Sequence, residues 1–396
     1  MSEWTISTIK DISRSVTSGG TPSTMCPEYY DGDIPRLNTK EINFRPIWLT
    51  EKYISKKGLE NSSVKWIEAN SIVIAMYGVT AGKSAIAKIP LTTNQASCNI
   101  TVDEKKAYFQ FIYYYMVGSY CELENMATGA AQQNLNARMI SGFPILIPPL
   151  PEQRAIAGVL SSLDDKIDLL HCQNKTLEAM AETLFRQWFV EEKDEGWEKG
   201  TISDLCITIT KGTTPTILGH SFTDSGINFI KAESITDTGN FIWDKFAKIS
   251  LETHEFLGRS IIQTGDVLCS IAGTIGRVAI TPNEILPANT NQAIAIIRAN
   301  SEKCFPEFIY LFLKSPQFRE IMDGKIVHSV QPNLSLGEIG NTPITIPSKL
   351  ALKRFRQIID PIFTKKNRNT NQIRTLEELR DTLLPKLMSG EVKVAM

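Results

Sequence analysis

Gly78-Val79-Thr80-Ala81-Gly82-Lys83-Ser84 follows an apolar, strand-like run and carries the glycines, cation and hydroxyl with which a phosphate-binding loop grips a nucleotide. Such a loop needs four residues between its glycines so that successive amides wrap the phosphates, and here there are three. A second stretch, Gly273-Thr274-Ile275-Gly276-Arg277-Val278, has two and lacks the Lys-Ser/Thr ending. A nucleotide-binding enzyme using Gly78 to Ser84 is therefore a minor alternative. Both stretches share a tight glycine turn, a threonine (Thr80, Thr274) and a cation directly after the second glycine (Gly82-Lys83, Gly276-Arg277). Glycine amides approach phosphate closely, threonine donates, and Lys or Arg reaches a DNA backbone or a guanine edge. One such turn would be an ordinary solvated hairpin; two at equivalent positions point to DNA contact.

Amide pairs recur in the same way: Asn94-Gln95 with Asn291-Gln292, and Gln132-Gln133-Asn134-Leu135 with Gln331-Pro332-Asn333-Leu334. Amide side chains pair bidentately with adenine, and they also brace turns. The first pair joins the DNA-contact candidates; Asn134 and Asn333 are read as braces. Thr21-Pro22 and Thr214-Pro215 are expected to shape a loop.

Catalytic equipment is missing. His171, His220, His254 and His328 occupy no matching positions and no metal-ligand spacing. There is no GxSxG elbow and no dinucleotide fingerprint, and Pro148-Pro149-Leu150 is not the loop of an amino-methyltransferase. Asp164-Asp165 is expected on a solvated helix face. The reading is of a chain with no catalytic residue, no metal and no cofactor of its own.

The elements that must carry these residues come in duplicate. Thr8-Ile9-Lys10-Asp11-Ile12 and Gly19-Gly20-Thr21-Pro22-Ser23 return 193 positions later as Thr201-Ile202-Ser203-Asp204-Leu205 and Gly212-Thr213-Thr214-Pro215-Thr216. The offset drifts to 197 at Asn94/Asn291 and to 199 where Pro144-Ile145-Leu146-Ile147-Pro148 matches Pro343-Ile344-Thr345-Ile346-Pro347. Two modules, each long enough for its own core, share the 396 residues. Short β-rich runs at 71–76 and 266–271, with short buried helices at 109–117 and 305–313, predict α+β domains with loop-rich surfaces. Seven scattered cysteines without a CxxC pair, no membrane-length apolar run and no export signal at Met1-Ser2-Glu3-Trp4 predict a soluble cytoplasmic protein.

Each module ends in a long helix. Leu163, Ile167, Leu170, Asn174, Leu177, Ala181, Leu184 and Trp188 alternate by four and three, the seam of a coiled coil. At offset 199 the second copy gives Ile362, Lys366, Asn369, Ile373, Leu376, Arg380, Leu383 and Leu387, with Leu379 on the same side. Pro151-Glu152 starts the first helix; Pro361 is read as the start of the main part of the second, and Pro385 as an interruption of its last turn. Residues 150–196 hold five basic and ten acidic side chains, residues 348–396 eleven and five. Opposite charge favours pairing of the two helices with each other, antiparallel, over pairing of like with like.

The chain resembles the specificity subunit of type I restriction-modification systems. The motifs are Ser18-Gly19-Gly20-Thr21-Pro22-Ser23, then Gly32-Asp33-Ile34-Pro35, Gln132-Gln133-Asn134-Leu135, Ile147-Pro148-Pro149-Leu150-Pro151-Glu152-Gln153-Arg154 and Leu184-Phe185-Arg186-Gln187-Trp188-Phe189. The second copy is weaker at Ile346-Pro347-Ser348-Lys349-Leu350 but ends on the similar Leu383-Leu384-Pro385-Lys386-Leu387-Met388-Ser389-Gly390. The resemblance implies two similar target-recognition domains (1–150 and 197–347) related by pseudo-twofold symmetry, separated by two long antiparallel coiled-coil spacer helices (151–196 and 348–396). It implies double-stranded DNA as ligand, read as a bipartite target. It also implies two modification subunits carrying S-adenosylmethionine and two restriction subunits using ATP and Mg. The specificity subunit of a type IIB-like restriction-methylation enzyme, or a coiled-coil adaptor without DNA contact, would share much of this pattern. Taking Glu152 to Val190 as one helix gives about 58 Å at about 1.5 Å per residue, which makes the helix a ruler longer than a DNA turn. A net charge of −1 predicts poor DNA binding by this chain without its partners.

Overall fold

The two ends of each repeat are strands that pair with each other. In the computed structural model, which describes residues 4–128, 134–326 and 333–395, Thr5–Thr8 runs antiparallel to Pro144–Ile147 and Glu198–Thr201 to Pro343–Ile346. Each opening strand ends in a turn locked by an acid: the Thr8 hydroxyl donates to Asp11 at 2.6 Å and the Thr201 hydroxyl to Asp204 at 2.8 Å. The duplicated Thr-x-x-Asp signature is thus a local turn lock.

The chain divides into two units, residues 1–169 with 372–396, and residues 170–371. In the first, a five-stranded sheet has the order Ser13–Ser18, Ser97–Val102, Ile72–Ala75, Ser84–Ala87, Pro46–Ile47. Its central strand is buried on both faces. Ile72 and Ile74 point into a core with Phe111 and Ile112 of the helix Phe109–Gly118, while Val73 and Ala75 meet Leu37 and Leu91. Those last two belong to a smaller sheet ordered Lys52–Ile54, Tyr30–Leu37, Leu91–Thr93, Trp66–Ile67. An apolar run with no polar alternation is what a strand covered on both sides requires.

The second unit repeats this plan. Its central sheet is ordered Cys206–Lys211, Ile294–Ala299, Val267–Ser270, Val278–Ile280, and its smaller sheet Ala247–Ile249, Ile227–Ile230, Ala288–Thr290, Ile261–Ile262. Val267 and Cys269 face the helix Pro306–Lys314, and Leu268 faces the smaller sheet's core. The α+β fold with repeated domains matches the expectation from the duplication.

The long helices span Leu150–Arg186, continued by a wider turn over Gln187–Glu191, and Lys349–Met388. The second begins twelve residues before Pro361 and runs past Pro385, so neither proline bounds or interrupts it. Ser348 caps it, accepting from the Ala351 amide at 3.2 Å. Both prolines are exposed, while Phe355, Ile359 and Phe363 on the other side are buried; that burial outweighs the missing hydrogen bonds.

Within each unit the two helices pair. In the first, Ile167 and Ile373 are buried and Leu163, Leu376 and Leu383 half-buried. In the second, Leu170 is buried, and Leu177 and Leu184 half-buried. There, Asn174 meets Asn369 (3.0 Å) and Glu178 meets Lys366, an antiparallel progression. Leu379 is 44% exposed and lies off the seam, because Arg380 takes the inward position at that turn.

A tyrosine, an acid and a base seal each pair. In the first unit Tyr114 donates to Asp164 at 2.6 Å, and Arg380 donates to the same carboxylate at 3.0 Å. In the second, Glu178 accepts from Tyr310, Lys366 and Lys314. Both times the acid lies on the first helix and a base on the second, as the segment charges require. Asp164 is therefore an ion-pair partner instead of a solvated face residue; Asp165 alone is exposed.

Candidate nucleic-acid interface

Strand register gathers the repeated motifs at one end of each central sheet. Ser18 lies opposite Cys98, Ala75 opposite Ser97 and Ile74 opposite Ser84, so the loops entering or leaving at that end are 19–24, 94–96 and 77–83. In the second unit Lys211 lies opposite Ala295, Ser270 opposite Ile294 and Cys269 opposite Val278, gathering 212–216, 291–293 and 271–277. Residues from three separate stretches of sequence are thereby neighbours.

The Thr-Pro loops are held twice over. The Gly20 amide donates to Thr93 O at 2.9 Å and the Thr213 amide to Thr290 O at 3.2 Å. A Cβ on Gly19 would stand 2.2 Å from Asn94 O, and one on Gly212 would stand 1.9 Å from Thr290 O, so only glycine permits this approach. The Thr21 hydroxyl then bonds Gln95 Oε1, and Thr214 bonds Gln292 Oε1 at 2.5 Å. Asn94 and Asn291 turn inward, accepting from Ser97 Oγ at 2.9 Å and the Ala293 amide at 3.2 Å. Gln95 and Gln292 remain exposed. Each amide pair thus divides into a brace and an outward-facing polar group.

The glycine loops use left-handed backbone at Gly78, Gly82, Gly273 and Gly276. The cation after each reaches across the loop cluster. Lys83 Nζ donates to Asn43 Oδ1 at 2.7 Å and lies 5.6 Å from the Phe44 ring centre. Arg277 donates to Asp237 at 2.6 Å and to Ile235 O at 2.9 Å. Ile42 and Ile235 are equivalent in the repeat, so both cations tie the glycine loop to the same neighbouring segment. Thr80 is half-buried and Thr274 exposed, the latter's carbonyl accepting from the Ser270 hydroxyl. Gln132, Gln133, Gln331 and Pro332 lie outside the described residues. Beside them the Leu135 amide donates to Met76 O and the Leu334 amide to Ile271 O, so these segments brace through backbone.

Sequence reasoning missed two features. No Asp or Glu occurs in residues 12–27, 69–102, 205–223, 267–283 or 285–301, the stretches that supply these loops. That signal was available in the charge pattern read at finer grain. The second is Arg36, 7% exposed, whose Nη2 donates to Thr21 Oγ1 at 3.0 Å and Nη1 to Asn38 Oδ1 at 3.3 Å. Its Nε is buried without a partner, and burial lowers its pKa from the ordinary arginine value. In the second unit Arg259 Nη2 donates to Thr213 Oγ1 at 3.2 Å, and Lys231, in the position of Asn38, lies 4.8 Å from the Phe222 ring centre.

Among the described residues no group of three His, Cys, Asp or Glu side chains could hold a metal. His220 bonds Thr253 and His254 bonds Asn289, His171 is exposed on the first helix, and His328 lies outside the described residues. Burial pushes the thiols of Cys98, Cys206, Cys269 and Cys304 up to about 12, which removes them as nucleophiles. No helix among the described residues is long and apolar enough to cross a membrane.

Two structurally repeated units thus present acid-free, amide- and threonine-rich loops at one end of a central sheet. Comparison with known proteins places the chain. Residues 1–179 and 194–378 match the family described as Type I restriction modification DNA specificity domain. The chain is 29% identical over 427 aligned positions to the Type I restriction enzyme MjaIX specificity subunit of Methanocaldococcus jannaschii, covering 99% of this chain and 94% of that one. It is 24% identical to the EcoBI specificity subunit of Escherichia coli, covering 83% and 74%. Its fold is similar to the S subunit of the type I restriction-modification system from M. genitalium (TM-score 0.62, 16% identity, 98% and 96% covered). The chain belongs to the family of type I restriction-modification specificity subunits, whose role is DNA recognition and not catalysis.

Proposed function

We propose that the chain reads a bipartite double-stranded DNA target, one half with the loops of residues 1–150 and the other with those of residues 197–347. It does so in the cytoplasm as the scaffold for two modification and two restriction subunits. S-adenosylmethionine, ATP and Mg belong to those partners. The observation that carries this is the recurrence, at one end of each central sheet, of loops free of carboxylates and bearing an exposed glutamine held by a threonine. A polyanion tolerates such a surface, and an amide can pair with an adenine edge. Neutral loops that specify and partners that supply phosphate contacts would also reconcile DNA binding with a net charge of −1.

The test is a binding panel with the assembled complex and duplexes altered in one half-site at a time. Gln95→Leu is expected to relax discrimination at the first block and Gln292→Leu at the second, each by about 1 to 3 kcal/mol. Loss of affinity that is equal for every duplex would remove base reading from these two glutamines.

A further inference from the structure

Arg36 is unlike the other buried cation among the described residues. The two basic side chains most completely removed from solvent among the described residues are Arg36 and Lys366. Lys366 lies against the carboxylate of Glu178. Arg36 has no carboxylate within ion-pair distance, only the neutral oxygens of Thr21 and Asn38, and its Nε has no partner. The Glu41 charge acts on it from farther off, but that carboxylate is occupied by the Asn38 and Glu51 amides, each at 2.9 Å. A guanidinium has five N–H groups, and a buried cation without a directly paired anion is costly unless an anion arrives. An unsatisfied buried donor at a recognition loop therefore asks for an acceptor.

The surroundings say which kind. The loop that Arg36 touches comes from residues 12–27, and the adjoining turn from 69–102, neither containing an acid. The second unit reaches the same place by another route. The position equivalent to Arg36 there is Phe229, fully buried, yet Arg259 arrives from before the strand Ile261–Ile262 and donates to Thr213 in the same Thr-Pro loop. Two arginines from unrelated positions, meeting the same loop, point to a common ligand instead of a shared ancestry of the contact.

We propose that Arg36 with Thr21 and Asn38 forms a seat for one phosphate group of a DNA backbone, and that Arg259 with Thr213 is its counterpart in the second unit. This rests on the DNA-reading function above and deepens it. The planar fork of arginine matches two phosphate oxygens, and the threonine hydroxyl fixes the fork in the loop. Such a contact carries no base information; it sets the register in which the exposed Gln95 meets its base edge.

Two measurements test it. The first is a salt titration of the full chain, assembled with its modification subunits, on a random-sequence 30-base-pair duplex. Arg36→Met is expected to reduce the slope of log affinity against log salt by about 0.9, and the double variant with Arg259→Met by about twice that. Thr21→Val, which keeps the charge but frees the fork, should give a smaller reduction. The second is thermal melting of the full chain with and without inorganic phosphate. Phosphate should raise the wild-type midpoint and leave Arg36→Met unmoved, and without phosphate the variant should melt no lower than wild type. An unchanged salt slope, with a variant that melts lower in both buffers, would make Arg36 a loop clip and overturn the proposal. A phosphate-induced shift without any change in slope would overturn the DNA assignment of the seat. If wild-type complex fails to bind the duplex at all, the function proposed above is what fails, and the melting arm still reports on the seat.

Discussion

Lys83 and Arg277 stand at the same place in their loops, and each directs its charge to a neighbouring loop of the same unit. Arg277→Ala is therefore expected to weaken the second half-site by loosening the glycine loop, and Asp237→Ala should produce part of the same loss. A double-mutant cycle on affinity should show the pair coupled by about 0.5 to 1 kcal/mol or more. An Arg277 that read a base directly would leave Asp237→Ala silent. Gly212→Ala probes the next loop. Its new Cβ would meet backbone oxygen at 1.9 Å, so the Thr-Pro loop must lift from Thr290, and second half-site binding should fall while the first is unaffected. Sequence marked these positions because they recur, but it could not divide them by role. A cation after a glycine reads the same whether it meets DNA or a nearby aspartate, and Arg36 was hidden because its environment is assembled from distant strands.

At the scale of elements, the helix pairs depend on buried acid-base contacts. Burial alone would raise the Glu178 pKa, but Lys366 and Lys314 overcome this and hold it below its ordinary value near 4.5. A carboxylate whose folded value is depressed stabilises the fold above the unfolded value and loses that contribution as pH falls through the folded one. Denaturation midpoints followed against pH should therefore drop on the acid side of about 4.5 in the wild type and more shallowly in Glu178→Gln. At neutral pH the same variant should cost about 3 to 5 kcal/mol, since it removes the carboxylate that faces the buried Lys366 ammonium, while Lys314 keeps Glu182 at 3.4 Å. Phe355→Ala, which empties a site packed against Phe189 at 4.7 Å and against Phe185 and Phe305, should cost a similar 3 to 5 kcal/mol. The seam itself was legible from its four-three spacing. Helix limits were not, because Pro361 signals a start locally while Phe355 and Ile359 bury the turns before it. Nor was the part played by Asp164, since the base that meets it is 216 residues away.

For the whole molecule, the duplication was the most legible feature, since each repeated motif serves the same structural purpose in both units, whether pairing the ends of a module, locking a turn or closing a loop onto a strand. What it could not show is which bases are read, because that depends on exposed side chains such as Gln95 and Gln292, whose types alone do not fix a target. Four residues inserted at equivalent places in both long helices lengthen each by about 6 Å. On the proposed reading, the gap between the two recognised blocks should grow by nearly two base pairs at about 3.4 Å each, as mapped by methylation. The most direct test of the central claim is genome-wide methylation profiling of cells expressing this chain with its modification subunit. A single motif of two short blocks around a fixed gap, with only the first block altered when residues 1–150 are exchanged for those of a relative, is the predicted result. One contiguous motif, or both blocks changing together, would contradict it.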